Sequence, residues 1–136
     1  MSREVIYRIQ DKDGRGPWRP GFSRRWVETR PDHDNLPPWI VEFGPVHLQV
    51  LYGCACGSGC MNLDQLRRWF TESEYRTLLK FGYRAVRMEV GRVLAKSDIQ
   101  CLFERAKPLS EDVIEVDLYP VPERQEPMRV LSPVGR

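Results

Sequence analysis

The chain has 136 residues, of which 41% are hydrophobic and 29% charged, with a formal net charge of +2. That length suits one domain able to bury the larger part of its surface, the apolar fraction excludes a disordered chain, and no run approaches the roughly 18 uncharged apolar residues of a membrane span. So small a net charge gives no indication of nucleic acid binding, although Arg15, Arg19, Arg24, Arg25 and Arg30 crowd the N-terminal segment. An anionic partner beside that segment is one reading and a solvated arginine face the plainer one.

The start "MSREVIYR" has no apolar core or small-residue cleavage site of a secretory signal, so a reducing cytoplasm is expected, with the cysteines as thiols or ligands. Residues 5 to 10 alternate, opposing Val5, Tyr7 and Ile9 to Ile6, Arg8 and Gln10, which is the period of a strand. "DKDGRGPWRPG" then breaks regular structure and reads as an ordered loop pinned by Trp18. "RWVETR" reads as a short strand and "PDHDNLPPW" as a proline-rich connection. "VHLQVLY", residues 46 to 52, carries apolar residues on both faces, as a central strand does.

Asn62 and Gln65 have the spacing of a capping box, with Met61 and Leu66 as its hydrophobic staple, so a helix should begin at Leu63. Thr71 and Glu74 repeat the device with Phe70 and Tyr75, which predicts a second helix after a break. Leu63, Leu66 and Phe70, then Tyr75, Leu78 and Leu79, would be buried, and Gly82 suits the left-handed position that ends the second helix. "YRAVRMEV", with Val86, Met88 and Val90 inward, "DIQCLFE" and "DVIEVDLY", with Ile114, Val116 and Leu118 on one face, alternate as strands. The expectation is one α+β domain over residues 1–119, with a twisted, mainly antiparallel sheet and a short helix pair, followed by a proline-rich tail over 120–136.

Cys54, Cys56 and Cys60 in "CACGSGC", with distant Cys101, are four possible zinc thiolates. A single residue between the first two strains joint chelation and no second close pair exists, so small buried thiols in a tight glycine loop are the favoured alternative to zinc. The same loop before a helix start is also a possible pocket floor for an anion, with Ser58 exposed, though it lacks the lysine of a nucleotide-binding P-loop. His33 and His47 lie in a connection and on a strand, giving no nucleophilic triad, and the turn carboxylates Asp11, Asp13, Asp32, Asp34, Glu111 and Asp112 read as caps. Trp26, Trp69 and Tyr75 are able to stack on a ring but as a rule are core residues.

"IYRIQD" resembles the first strand of ADP-ribosyltransferase toxins of the cholera and pertussis type. That resemblance implies an ADP-ribosyltransferase-like fold, with Arg8 as the contact to NAD, Asp11 as a displaced counterpart of the acid that steadies the arginine, and Ser58 in the mid-chain serine role. In "SDIQCLFE" it places Gln100 where the family has its glutamate, preceded by Asp98. Glutamine keeps a hydrogen bond but not the charge that supports an oxocarbenium-like transition state, so Asp98 or Glu104 would have to supply it. The chain also resembles small phage and prophage proteins with "YRI.D..GRGP", a glycine/cysteine loop, "QLRRWF", "GY" and "Q..F", here at residues 7–17, 53–60, 65–70, 82–83 and 100–103. This resemblance implies a host bacterial cytoplasm and action against a host component, including a host-protein partner such as a CRISPR effector. Three readings follow: an active or degenerate transferase-like NAD binder, a non-catalytic phage inhibitor of a host protein, and a structural or zinc-stapled phage module.

Overall fold

The computed structural model describes residues 4–29, 35–44 and 55–120. Two three-stranded antiparallel sheets and a pair of helices make an α+β architecture. In the first sheet β3 (Arg84–Val90) is central, flanked by β1 (Glu4–Gln10) and β6 (Ile114–Val116); in the second, β5 (Cys101–Arg105) is central between β2 (Ala55–Gly59) and β4 (Arg92–Lys96).

Alternation along β1 decides what lies on each side of the first sheet. Ile6 stands opposite Met88 and Arg8 opposite Val86, while Ile9 stands opposite Ala85. Residues two apart point the same way, so Ile6, Arg8, Val86 and Met88 share one face and Ile9 and Ala85 the other. The first face packs Ile6, Val86, Met88 and Val90 against Cys101 and Phe103 of the second sheet. The other packs Ile9 and Ala85 with Trp26, Leu66, Phe70, Tyr75, Leu78, Tyr83 and Leu118 beneath the helices. Each fully buried large side chain, such as Phe103 or Leu78, contributes about 1.5–3 kcal/mol by leaving water.

The sheets are stitched where β1 meets the end of β2. Tyr7 and Cys60 exchange backbone hydrogen bonds of 2.8 and 2.7 Å. Gly59 permits this approach, because a Cβ there would stand 2.8 Å from the Tyr7 carbonyl oxygen. A second tie is the buried Arg105 on β5. Its guanidinium donates to the carbonyls of Glu89 at 3.2 Å, Pro108 at 2.8 Å and Glu111 at 2.7 Å, gathering the loop after β5 against the sheets.

The helices α2 (Leu63–Trp69) and α3 (Glu72–Lys80) start where the capping residues predict. The Asn62 side chain accepts from the Gln65 backbone N–H at 2.8 Å, and the Gln65 side-chain Oε1 accepts from the Met61 N–H at 2.8 Å. At α3, Thr71 and Glu74 form a full capping box. The Glu74 carboxylate is completely buried, accepting from the N–H groups of Thr71 at 2.9 Å and Glu28 at 2.8 Å, so the box also anchors the segment after Trp26. Gly82 takes the left-handed conformation, φ +88°.

Several expectations are corrected. Residues 25–29 form no strand: Ser23–Arg25 is a short 3-10 turn, and Trp26 is buried with its Nε1–H donating to the Pro17 carbonyl at 3.1 Å. Trp26 therefore ties down the preceding loop, while Trp18 is 48% exposed. Ala55–Gly59, read as a loop, is strand β2, because its small residues fit against the first sheet where side chains would collide. The strand β4 and the short helix α1 (Trp39–Phe43) were not anticipated. Ile114 is 54% exposed, so the face shared with Val116 and Leu118 is not buried at its start. "VHLQVLY", His33, His47 and residues 121–136 lie outside the described residues.

Glu74→Ala removes an acceptor from two buried N–H groups and is expected to cost about 3 kcal/mol, from the magnitudes of a lost cap and of hydrogen bonds to a charged group. Urea unfolding checks this: a loss below about 1 kcal/mol would show that the anchor to residue 28 is dispensable.

Candidate functional site

Arg8 is the unusual residue of the interior. It sits on the β1 face turned towards the second sheet, among apolar side chains, and is 8% exposed. Its Nη2 donates to the Gly14 carbonyl at 3.3 Å, but Nε and Nη1 meet no acceptor among the described residues. Burial lowers its pKa from 12.5 to about 10, and the effects of Cys101 and Asp11 oppose this only in part. The cation is therefore still charged at neutral pH and costly to keep there.

Room for it comes from glycine. A Cβ at Gly57 would lie 2.3 Å from Arg8 Nη1 and 3.1 Å from the Phe103 ring. A Cβ at Gly16 would meet Nη2 at 3.4 Å. Phe103 presents its ring 6.0 Å from the guanidinium carbon, a weak cation–π contact that offsets little of the missing solvation.

Arg8 opens onto a cleft of about 690 Å³ that is also lined by Gly57, Ser58 and Gln100. The first strand, the glycine/cysteine segment and the residue before β5 thus converge on one hollow. Trp18, Trp39, Trp69 and Phe70 add aromatic surface, and Arg15 and Arg19 add positive charge. Trp69 is oriented by its Nε1–H, which donates to the Ile99 carbonyl at 2.8 Å. No carboxylate lines the cleft among the described residues. A site of this composition suits an anion attached to a planar ring system.

The sequence matches, over residues 1–117, the family model described as Bacteriophage T4 Y00F protein. The chain belongs to that family. No curated protein and no solved structure matches it. The phage expectation thus stands at the level of the family, while the resemblance to ADP-ribosyltransferases rests on the cited motif alone.

The other candidate residues of this phage protein divide sharply. Gln100 is 4% exposed and its amide is already committed: Nε2 donates to the Pro37 carbonyl and to Glu42 Oε1, each at 2.8 Å. Asp98 is exposed and is not among the cleft residues. Glu104 pairs with Arg92 at 2.8 Å on the second sheet. Asp11 does not bond to Arg8. Its carboxylate accepts from the backbone N–H groups of Asp13 and Arg15, each at 2.9 Å, and from Arg15 Nε at 3.1 Å. Partial burial acts to raise the Asp11 pKa, but those backbone bonds and the Arg15 charge outweigh it and hold the group below its usual value.

Trp26 and Tyr75 are core residues, whereas Trp69 belongs to the cleft. Trp18 and Trp39 were not singled out as ring-stacking candidates; the only available signal was a tryptophan directly after proline in "GPW" and "PPW", positions where a large ring is often left at the surface. The zinc set does not assemble among the described residues: no group of three or more metal-binding side chains is found there, Cys56 is in a disulfide, and Cys54 lies outside the described residues. The disulfide also corrects the expectation that every cysteine is a thiol or a ligand. Cys60 and Cys101 are buried free thiols. Burial raises both pKa values, that of Cys101 to about 12 and that of Cys60 further, so neither carries a useful thiolate at neutral pH.

Two measurements probe this geometry. Gly57→Ala should displace Arg8 and cost about 1–3 kcal/mol, the usual range for overpacking. Gly91→Ala, whose Cβ would find its nearest contact at 3.9 Å, should be nearly neutral by the same unfolding assay. Labelling with a maleimide at pH 8 should leave Cys60 and Cys101 unmodified until denaturant unfolds the chain; rapid labelling of the native protein would contradict their burial.

Proposed function

We propose that this phage protein binds NAD or a related ADP-ribose-containing nucleotide in the Arg8 cleft and acts on a host component by binding rather than by transfer. The observation that carries the reading is the Arg8 guanidinium, buried, charged and short of two acceptors, at the wall of a cleft that also holds Ser58 and Gln100. A phosphate oxygen would supply a charge-assisted partner that the described residues do not. The tryptophans supply planar apolar surface for a base or nicotinamide ring, and the Ser58 hydroxyl a neutral donor or acceptor for ribose.

The same geometry argues for binding without transfer. An oxocarbenium-like state needs negative charge beside it, and no acidic side chain lines the cleft among the described residues. Asp98 and Glu104, the candidates for that role, are respectively exposed outside the cleft lining and paired with Arg92 on the second sheet. The host contact falls to exposed apolar side chains, of which Ile40 and Val41 on α1 are 48% and 68% exposed.

Thermal melting with NAD, ADP-ribose and AMP tests the reading. A ligand at 100 times its dissociation constant should add about 2.7 kcal/mol and raise Tm by several degrees. Arg8→Met should abolish that rise while changing the apo stability by no more than about 1–2 kcal/mol, because the charge it removes lacks a full set of partners. No rise with any of the three nucleotides would end the nucleotide reading. Nicotinamide release from NAD, followed by chromatography, would overturn the non-catalytic part.

A further inference from the structure

Two arginines of the N-terminal segment lie over aromatic rings. Arg19 lies with its guanidinium carbon 4.7 Å from the Phe22 ring centre, and Arg25 lies 5.0 Å from that of Phe81. The rings touch in turn: Phe22 meets Phe81 edge-on at 5.2 Å and stacks on Tyr83 at 5.4 Å. Arg25, the rings and Arg19 therefore form one continuous run of contacts. Arg19 Nη2 also donates to the Tyr83 hydroxyl at 2.6 Å, while its Nε meets no acceptor among the described residues.

None of Arg19, Arg24 and Arg25 is in an ion pair among the described residues, although most other arginines there find a carboxylate or a set of carbonyls. Their charge meets no carboxylate among the described residues; Arg19 and Arg25 are steadied by the rings beside them, which reduces the entropy lost on binding, and Arg24 and Arg25 are exposed. Phe81 is itself 39% exposed. Trp18, 48% exposed, lines the same cleft as Arg19, so the run of arginines continues to the mouth of that cleft.

We propose that this surface binds single-stranded nucleic acid. Uncompensated guanidinium groups match a phosphate backbone, and the exposed Phe81 and Trp18 rings beside them are able to stack only on bases that are not already paired in a duplex. An acidic protein surface would satisfy the charges but would leave the interleaved rings without a role. The inference is independent of which ligand occupies the Arg8 cleft.

Fluorescence anisotropy with a labelled single strand of about 12 nucleotides, within the usual span of such sites, tests it. Three phosphate contacts on a single strand give a log–log salt slope of about −2. Arg24→Glu with Arg25→Glu should weaken binding at least tenfold and flatten the slope, with Tm lowered by no more than a few degrees, since neither side chain makes a hydrogen bond or ion pair among the described residues and only the Arg25 contact to Phe81 is lost. Phe81→Leu, which keeps bulk but removes the ring, should weaken binding about fivefold or more, the lower end of a lost base-stacking contact. Equal or tighter binding of a duplex or of a polyglutamate peptide would overturn the proposal, as would absence of saturable binding at low salt or indifference to the double charge reversal.

Discussion

A permanent cation held between two apolar sheet faces is the constraint around which the molecule is organised. Removing a guanidinium from water costs several kcal/mol, and among the described residues Arg8 finds only one long hydrogen bond, to the Gly14 carbonyl, and a distant ring face. The nearest sequence acid, Asp11, is fully engaged in closing its own loop around Arg15. Two glycines, Gly57 on one sheet and Gly16 in the facing loop, leave the space the guanidinium fills. A residue so expensive and so weakly repaid is the strongest local sign that an acceptor from outside completes the arrangement.

The surrounding fold keeps that cation in place. The Tyr7 and Cys60 backbone exchange locks the strand carrying Arg8 to the strand carrying Gly57, so the two cannot drift apart without breaking two hydrogen bonds. Arg105, the second buried arginine, shows the contrast. It meets several carbonyls of one loop and the adjacent strand, and so acts as a clamp that sets Leu109 beside the cleft. Gln10, two residues beyond Arg8 on the same face, bonds the Leu109 carbonyl at 2.9 Å and closes the circuit from β1 to that loop. The helix pair forms the opposite layer, with Glu74 binding the segment that supports the Trp18 loop.

Features of short range were legible in the sequence, and those set by distant partners were not. Both helix starts follow from side chains three residues apart, and β1, β3 and β5 from alternation within a few residues. The segment "ACGSG" carries no strand signal, since its pairing is imposed by β5 and by the tightness of the space against β1 rather than by its own preferences. Likewise the convergence of Arg8, Ser58 and Gln100 on one cleft, and the engagement of Gln100 by Pro37 and Glu42, have no local signature in the sequence. The arginine run was visible as composition, but its grading into solvated charge or built surface depended on rings from residues 81 and 83, far along the chain.

The distribution of acids explains why the site is better suited to holding than to transforming a ligand. An acid free beside Arg8 would pair with it and relieve the unmet hydrogen bonding; the carboxylate brought to this region, Glu42, is instead bonded to the Gln100 amide. That amide must donate to both Glu42 and Pro37, so it is turned away from use as a donor to a ligand unless α1 shifts. Among the described residues the cleft therefore presents guanidinium charge, a serine hydroxyl and tryptophan faces, all of which favour a ground-state anion and its ring, and no carboxylate to stabilise positive charge developing on a sugar. Binding energy in a site of this composition goes into affinity rather than rate, which is why the proposed role is recognition rather than modification.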